Sequence, residues 1–283
     1  MKILALADLH LDEIQDRDIL RRLGEAIREV AQEADLMIVA GDLAEDAIQN
    51  WPSALRWLST LYPAKQTIVM PGNHDYYGGN LSTLDEDLDR ICRDAGCSFG
   101  QCRRLVMGDV RILMATLWTD LKLFAPHGDQ AVADTLWQAQ MMPDYEEDVI
   151  MVDDPERQLR PEDTADEHAK QRAWLTSELA APWDGRTVVV THHAPSPAVV
   201  GALTPLSPCF ASDLEVEIEM YRPDVWLFGH THRSADILMP GGTLLRNVSI
   251  GYEEELGAVD MVEWVRRGLV DVTNLSVFSA SSV

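Results

Sequence analysis

The chain has 283 residues, 46% of them hydrophobic, and 47 Asp+Glu against 23 Lys+Arg leave a formal net charge of −24. This composition suits a soluble chain with one large core or two small ones, and so acidic a field repels a long polyanion, which makes extended nucleic acid a disfavoured partner. No apolar run reaches membrane-spanning length, and the short apolar stretch before Asp8 falls below a secretory leader, so the expected compartment is the cytoplasm.

In chain order, "KILALAD" reads as a buried strand, and the segment from about Asp16 to Ala34 carries Ile19, Leu20, Leu23, Ile27 and Val30 on one helical side. "DLMIVAGD" is a second buried strand. "WPSALRWLSTLY" follows as a helix with Pro52 in its first turn, and "QTIVMPGNHD" is a third strand running into a loop. "RRLVMGDVRILMATLW" reads as a hairpin turning at Gly108 and Asp109. Residues from roughly Thr119 to Asp166 are acidic and Pro-rich without sustained period, the mark of an insertion or lid, and the run "DYEED" from Asp144 to Asp148 reads as a solvated face. The helix "EHAKQRAWLTSELA" leads to the strand "RTVVVTHHAP"; after a Pro-rich loop and a short helix come the strand "DVWLFGHTH" and a hairpin through "PGG". This alternation predicts an α/β sheet with parallel strands. Cys92, Cys97, Cys102 and Cys209 lack metal-site spacing and read as free, mostly buried thiols.

Polar residues gather where these strands end: Asp8 and His10, then Asp42, then Asn73 and His74, then His192 and His193, then His230 and His232. Six of the eight histidines fall at such points. Ligands of open α/β sheets bind beyond the carboxyl ends of the strands, so these groups converge on one crevice. Imidazole and carboxylate without thiolate suit Mn, Fe, Zn, Co or Ni, and seven candidate ligands exceed the needs of one tetrahedral ion. Two metals sharing a carboxylate account for the number.

As a set, "DLH" at Asp8, "GD" at Gly41, "GNHD" at Gly72, "HH" at His192 and "GHTH" at Gly229 resemble the motif series of the calcineurin-like metallophosphoesterases, in the same order. The stretch "RNVSIGYEEE" resembles a segment that follows those motifs in bacterial members. The resemblance implies a four-layer α-β-β-α sandwich, two central mixed sheets flanked by helices, as one domain over residues 1–283 with the insertion at about 119–166. It implies two divalent ions, Mn²⁺ foremost, one held by Asp8, His10, Asp42 and His232 and the other by Asp42, Asn73, His192 and His230, with Asp42 bridging. His193 stands as a neighbour of the ligands.

The implied chemistry is hydrolysis of a phosphoester by a metal-bridging hydroxide, with His74 protonating the leaving alkoxide. Asn73, His74, Tyr76, Tyr77, Trp118, His127 and Arg233 are candidates to line the substrate pocket, and Asn247 is a candidate to orient a ligand histidine. "GDLAEDA" and "GNHD" depart from the protein phosphatases of the superfamily. An SbcD-type nuclease shares "GNHD" and "GHTH", but the charge disfavours it. A small phosphoester is therefore the expected partner, with nuclease as the alternative and a non-catalytic scaffold of the same fold less favoured. Nothing in the sequence speaks to oligomeric state.

Overall fold

The computed structural model describes residues 1–153 and 155–274; the last part of the domain span, residues 275–283, lies outside the described residues. The first third of the chain supplies β1 (Lys2–Leu6), α1 (Arg17–Ala31), β2 (Leu36–Ala40), α2 (Ala47–Ser59), β3 (Thr67–Met70), β4 (Gly79–Asn80), α3 (Leu84–Ala95) and β5 (Ser98–Phe99). The middle supplies β6 (Arg103–Met107), β7 (Val110–Ala115), α4 (Asp129–Ala139), β8 (Ile150–Val152), β9 (Arg157–Gln158), α5 (Pro161–Ala180) and β10 (Arg186–Thr191). The remainder supplies α6 (Ser207–Phe210), α7 (Glu215–Tyr221), β11 (Val225–Phe228), β12 (Asp236–Leu238), β13 (Leu244–Asn247), α8 (Glu253–Leu256), α9 (Met261–Arg266) and β14 (Leu269–Asp271).

Two mixed sheets form the centre, in the orders β14-β1-β2-β3-β5 and β12-β13-β11-β10-β7-β6. Alternate residues of their strands face each other: Ile3, Ala5, Ile38, Ile68 and Met70 of the first sheet pack with Ile112, Met114, Val188, Val190, Val225 and Leu227 of the second. The outer face of the first sheet, with Leu4, Leu6, Met37, Val39 and Val69, is covered by Leu23, Ile27 and Val30 of α1, by Trp51, Leu55 and Leu58 of α2 and by Leu88 and Cys92 of α3. Leu113, Val189, Trp226 and Phe228 on the outer face of the second are covered by Leu175 and Leu179 of α5 and Ile218 of α7. Strands apolar on both faces are what two layers of helix require, and the result is the expected four-layer sandwich. The hairpin of β6 and β7 turns where expected, with Met107 opposite Val110. Cys92, Cys97, Cys102 and Cys209 are free, all but Cys102 buried.

Several sequence expectations need correction. Helix α2 begins at Ala47, so Pro52 lies inside it and not in its first turn; α3, with Leu84, Leu88 and Cys92 at helical spacing, went unread. The segment before α5 is not irregular. It holds α4 and a third sheet, β4-β8-β9, in which β8 and β9 extend a short strand laid down before α3. Its end belongs to α5, which starts at Pro161 because Asp163 accepts the Arg160 amide at 2.9 Å and the Arg157 fork at 2.7 Å. The run from Asp144 to Asp148 is not uniformly solvated, since Asp144 is 6% exposed.

Arg111 of β7, 4% exposed, closes the C-terminal end of α5: its guanidinium donates to the carbonyls of Glu178 at 2.7 Å, Ala181 at 2.9 Å and Leu179 at 3.2 Å. These carbonyls have no partner within the helix. Replacing Arg111 with Leu leaves them and the Thr187 hydroxyl short of a donor, and the expected loss is about 2–4 kcal/mol of unfolding free energy by urea denaturation, with metal content unchanged. A loss under about 1 kcal/mol would mean that water replaces the guanidinium.

Candidate metal centre

Every residue of the site sits just past the end of a parallel strand: Asp8 and His10 after β1, Asp42 after β2, Asn73 and His74 after β3, His192 after β10, His230 and His232 after β11. The two sheets meet here. Ala7 of the first pairs with Ser249, just past β13 of the second, and the Gly251 amide donates to the Asp8 carbonyl at 3.0 Å. Past the strands the backbone turns abruptly. Of thirteen non-glycine residues with positive φ among those described, five are candidate ligands: Asp8, His10, Asp42, His230 and His232. Such strain persists only where surroundings over-determine it.

Asp75 does much of that work. Its carboxylate accepts from the amides of Asp42 at 2.7 Å, Gly72 at 2.8 Å, Leu43 at 3.0 Å and Ala44 at 3.1 Å, and from the Trp51 indole at 2.8 Å, so the turns after β2 and β3 are tied to one buried group. Asn247 ties the turn after β11, donating to the Gly229 carbonyl and the Thr231 hydroxyl at 3.2 and 3.0 Å.

Two groups of ligand atoms result, Asp8 with His10 and His232, and Asp42 with His192 and His230, each within 4.8 Å of one another. Asn73 Oδ1 lies 3.0 Å from His192 Nε2, on the side of the second group, and His10 Nε2 lies 3.8 Å from Asp42 Oδ2, between the two. Outer partners set the tautomers. His192 Nδ1 bonds the Ala40 carbonyl at 3.0 Å and His232 Nδ1 bonds Glu255 at 2.8 Å, leaving both Nε2 atoms to face the carboxylates.

Burial lowers His10 to about 4 and His230 to about 3, which keeps both rings neutral and able to ligate. Burial would raise Asp8, but the bond from His232 and the charges of His192 and His232 hold it at about 2. A metal fits this donor set. Both nitrogens of His10 and Nε2 of His230 are buried without any hydrogen-bond partner, a state that costs about 1–3 kcal/mol per group unless something else is bound there.

The cleft over these atoms, about 320 Å³, is lined by His74, Tyr77, Met142, Asp144, Phe210, Tyr252 and Glu255 besides the ligands. His74 Nδ1 bonds Glu45 at 2.7 Å and its ring stacks on Tyr77 at 4.4 Å. Burial lowers its pKa, but Asp42 and Glu45 outweigh this and raise it to about 10.

Other candidates lie elsewhere. Tyr76 is fully buried, with its hydroxyl on Asp85 at 2.7 Å; Trp118 is buried against His193. His193 belongs to neither ligand group and bonds the Thr116 carbonyl. His127 lines a separate hollow of about 570 Å³ with Phe124 and Trp137, and Arg233 is exposed, its guanidinium over Gly201. Asp75, Glu45, Asp144, Tyr252 and Glu255 were not singled out from sequence. Each lies inside a stretch quoted for another reason, Glu45 in "GDLAEDA", Asp75 in "GNHD", Asp144 in "DYEED" and Tyr252 and Glu255 in "RNVSIGYEEE", but none was given a role at the site.

The sequence profile of the calcineurin-like phosphoesterases matches residues 1–234. The chain is 26% identical over 263 residues to the 3',5'-cyclic adenosine monophosphate phosphodiesterase CpdA of Escherichia coli K12, covering 88% of this chain and 76% of that protein. An uncharacterized metallophosphoesterase of Helicobacter pylori is 33% identical over 88 residues, 30% of this chain, and the match spans only 23% of that relative's length. Among solved structures, phosphopantetheinyl hydrolase from Mycobacterium tuberculosis shares the fold, with a TM-score of 0.70 at 20% identity over 93% of this chain and 94% of that one.

Gly229 passes so close to β1 that a Cβ there would lie 2.5 Å from the Ala7 Cβ and 2.6 Å from Asp8 Oδ2, whereas one at Gly257 would meet nothing within 4 Å. Gly229→Ala is therefore expected to lower bound metal, read by elemental analysis of the purified protein, and Gly257→Ala to leave it unchanged. Equal metal content in the two would show that the turn after β11 relaxes without moving Asp8.

Proposed function

The chain belongs to the calcineurin-like phosphoesterase family and is a hydrolase, and on that premise we propose that it cleaves small phosphoesters with two divalent ions, Mn²⁺ foremost among Mn, Fe, Zn, Co and Ni. The observation that carries this reading is the pair of adjacent three-residue ligand groups. Asp8, His10 and His232 would hold one ion and His192, His230 and Asn73 the other, with Asp42 between them. Two ions bound there supply an activated water and positive charge opposite the phosphoryl oxygens.

The remaining steps fall to the chain. His74, charged and steered by Glu45, is the proton donor to the leaving alkoxide. Tyr77 holds the His74 ring by stacking. Support for a small substrate comes from the cleft volume, at the lower end of the usual range for small-molecule sites, and from the net charge of −24. The same charge disfavours the nuclease reading. We further propose a single catalytic domain with an insertion before α5, working in the cytoplasm, a compartment suited to four free thiols. No described helix is long and apolar enough to cross a membrane.

Chelator treatment should abolish hydrolysis of bis-p-nitrophenyl phosphate and p-nitrophenyl phosphate, and added Mn²⁺ should restore it; full activity in chelator would sink the two-ion proposal. His74→Ala should cost on the order of 10²–10⁴ in kcat for esters with poor leaving groups and much less for p-nitrophenolate, which leaves without a proton. An equal loss on both would remove His74 from the acid role.

A further inference from the structure

We propose that Asp144, on the insertion, is a positioning residue for the Asn73 ligand, so that the insertion completes the second ion site. The inference rests on the two-ion reading above. An amide ligand has one useful end: its carbonyl oxygen binds a cation, while its NH₂ end repels one. The turn after β3 fixes where Asn73 stands but not which end faces the ion.

Asp144 decides that. Its Oδ1 accepts the Asn73 Nδ2–H at 2.7 Å, a bond that only the NH₂ end of the amide can donate. The Asn73 oxygen is thereby left facing His192 Nε2 at 3.0 Å, in the group formed by Asp42, His192 and His230. Asp144 is itself 6% exposed, and the Tyr77 hydroxyl donates to the same oxygen at 3.2 Å. Burying a carboxylate is costly unless it is partnered.

The insertion is anchored so as to deliver it. Tyr145, the next residue, bonds the Thr164 hydroxyl of α5 at 2.7 Å, and Met142 and Tyr145 pack against Leu121, Ala139 and Cys209. Asp144 lies 71 residues beyond Asn73 in sequence, outside every motif shared with the family. The insertion thus acts on an ion site without supplying a ligand.

The test uses the full chain, stripped of metal and titrated with Mn²⁺ by calorimetry and by electron paramagnetic resonance, which distinguishes a coupled pair from single ions. In Asp144→Ala one ion should bind as in the wild type and the other about 10–100-fold more weakly, with the coupled-pair signal reduced at equal loading. Asp144→Asn, whose amide oxygen accepts the same bond, should recover most of that loss. Wild-type affinity for both ions in Asp144→Ala, equal weakening of both, or failure of Asp144→Asn to recover would each overturn the proposal. Should Asp144→Ala not fold, hydrogen exchange of the wild type decides: residues 142–146 should gain protection with residues 72–75 on Mn²⁺ addition, and an unchanged 142–146 segment overturns it. A wild type that binds fewer than two ions would instead refute the two-ion reading itself.

Discussion

Two carboxylates, Asp8 and Asp42, lie at 0% and 1% exposure at the joint between the two sheets, and the surrounding structure is organised around that fact. A buried charge needs partners, because its desolvation cost is several kcal/mol even after relaxation. Backbone supplies part: the His230 amide donates to both oxygens of Asp8 at 3.0 Å and the His74 amide to Asp42 at 3.0 Å. Imidazoles supply the rest, with His232 3.3 Å from Asp8 and His192 3.2 Å from Asp42. Yet His10 and His230, in the same crevice, are held neutral with buried nitrogens bonded to nothing. Unsatisfied lone pairs beside compensated carboxylates are a poor arrangement for a packed core and a good one for cations.

Holding these groups together requires backbone that an ordinary strand end does not adopt. Five candidate ligands sit in left-handed conformations, and no ligand is itself a glycine. The strain is spread over three turns that share fasteners, so no turn relaxes alone. Asp75 ties one of them, the turn after β2, to the turn after β3, and the segment from Asn247 to Glu255 spans the joint between sheets, bonding the turn after β11 through Asn247 and through Glu255. Tyr252, in the same segment, stacks on His10 at 4.4 Å. One short stretch therefore fixes backbone and rings of the first ligand group.

The buried strands and the polar residues gathered at their ends were legible because both are local signals: apolar runs mark strands buried on both faces, and polar residues interrupt them where the strands stop; the four-layer sandwich was legible only through the resemblance of the motif series. Partners from distant segments were not legible. Tyr76 and Tyr77 are adjacent and alike in sequence, but the tight turn from His74 to Tyr76 sends one ring into the core and the other into the cleft. Asp144 looked like one of several acids on a wet surface, and nothing local distinguishes it from Glu146 or Glu147; only the fold of the insertion brings it against Asn73. Helix α3 was legible and missed, since Leu84, Leu88 and Cys92 recur at the helical period amid a heavily charged stretch.

An acidic chain acting on an anionic substrate has to separate affinity from selectivity. Among the residues lining the cleft there is no Lys or Arg, while Asp42, Asp144 and Glu255 are present. On the two-ion reading, attraction for the phosphoryl group is then delegated to the ions, whose field acts at contact distance while exposed carboxylates beyond about 8 Å are screened by salt. On that reading, discrimination between esters falls to the rest of the lining, which includes Tyr77, Met142, Phe210 and Tyr252, from the turn after β3, the segment before α5, α6 and the segment before α8. Three of the four are aromatic and none belongs to a metal-ligand motif, so chains sharing every ligand can differ in the ester they cut.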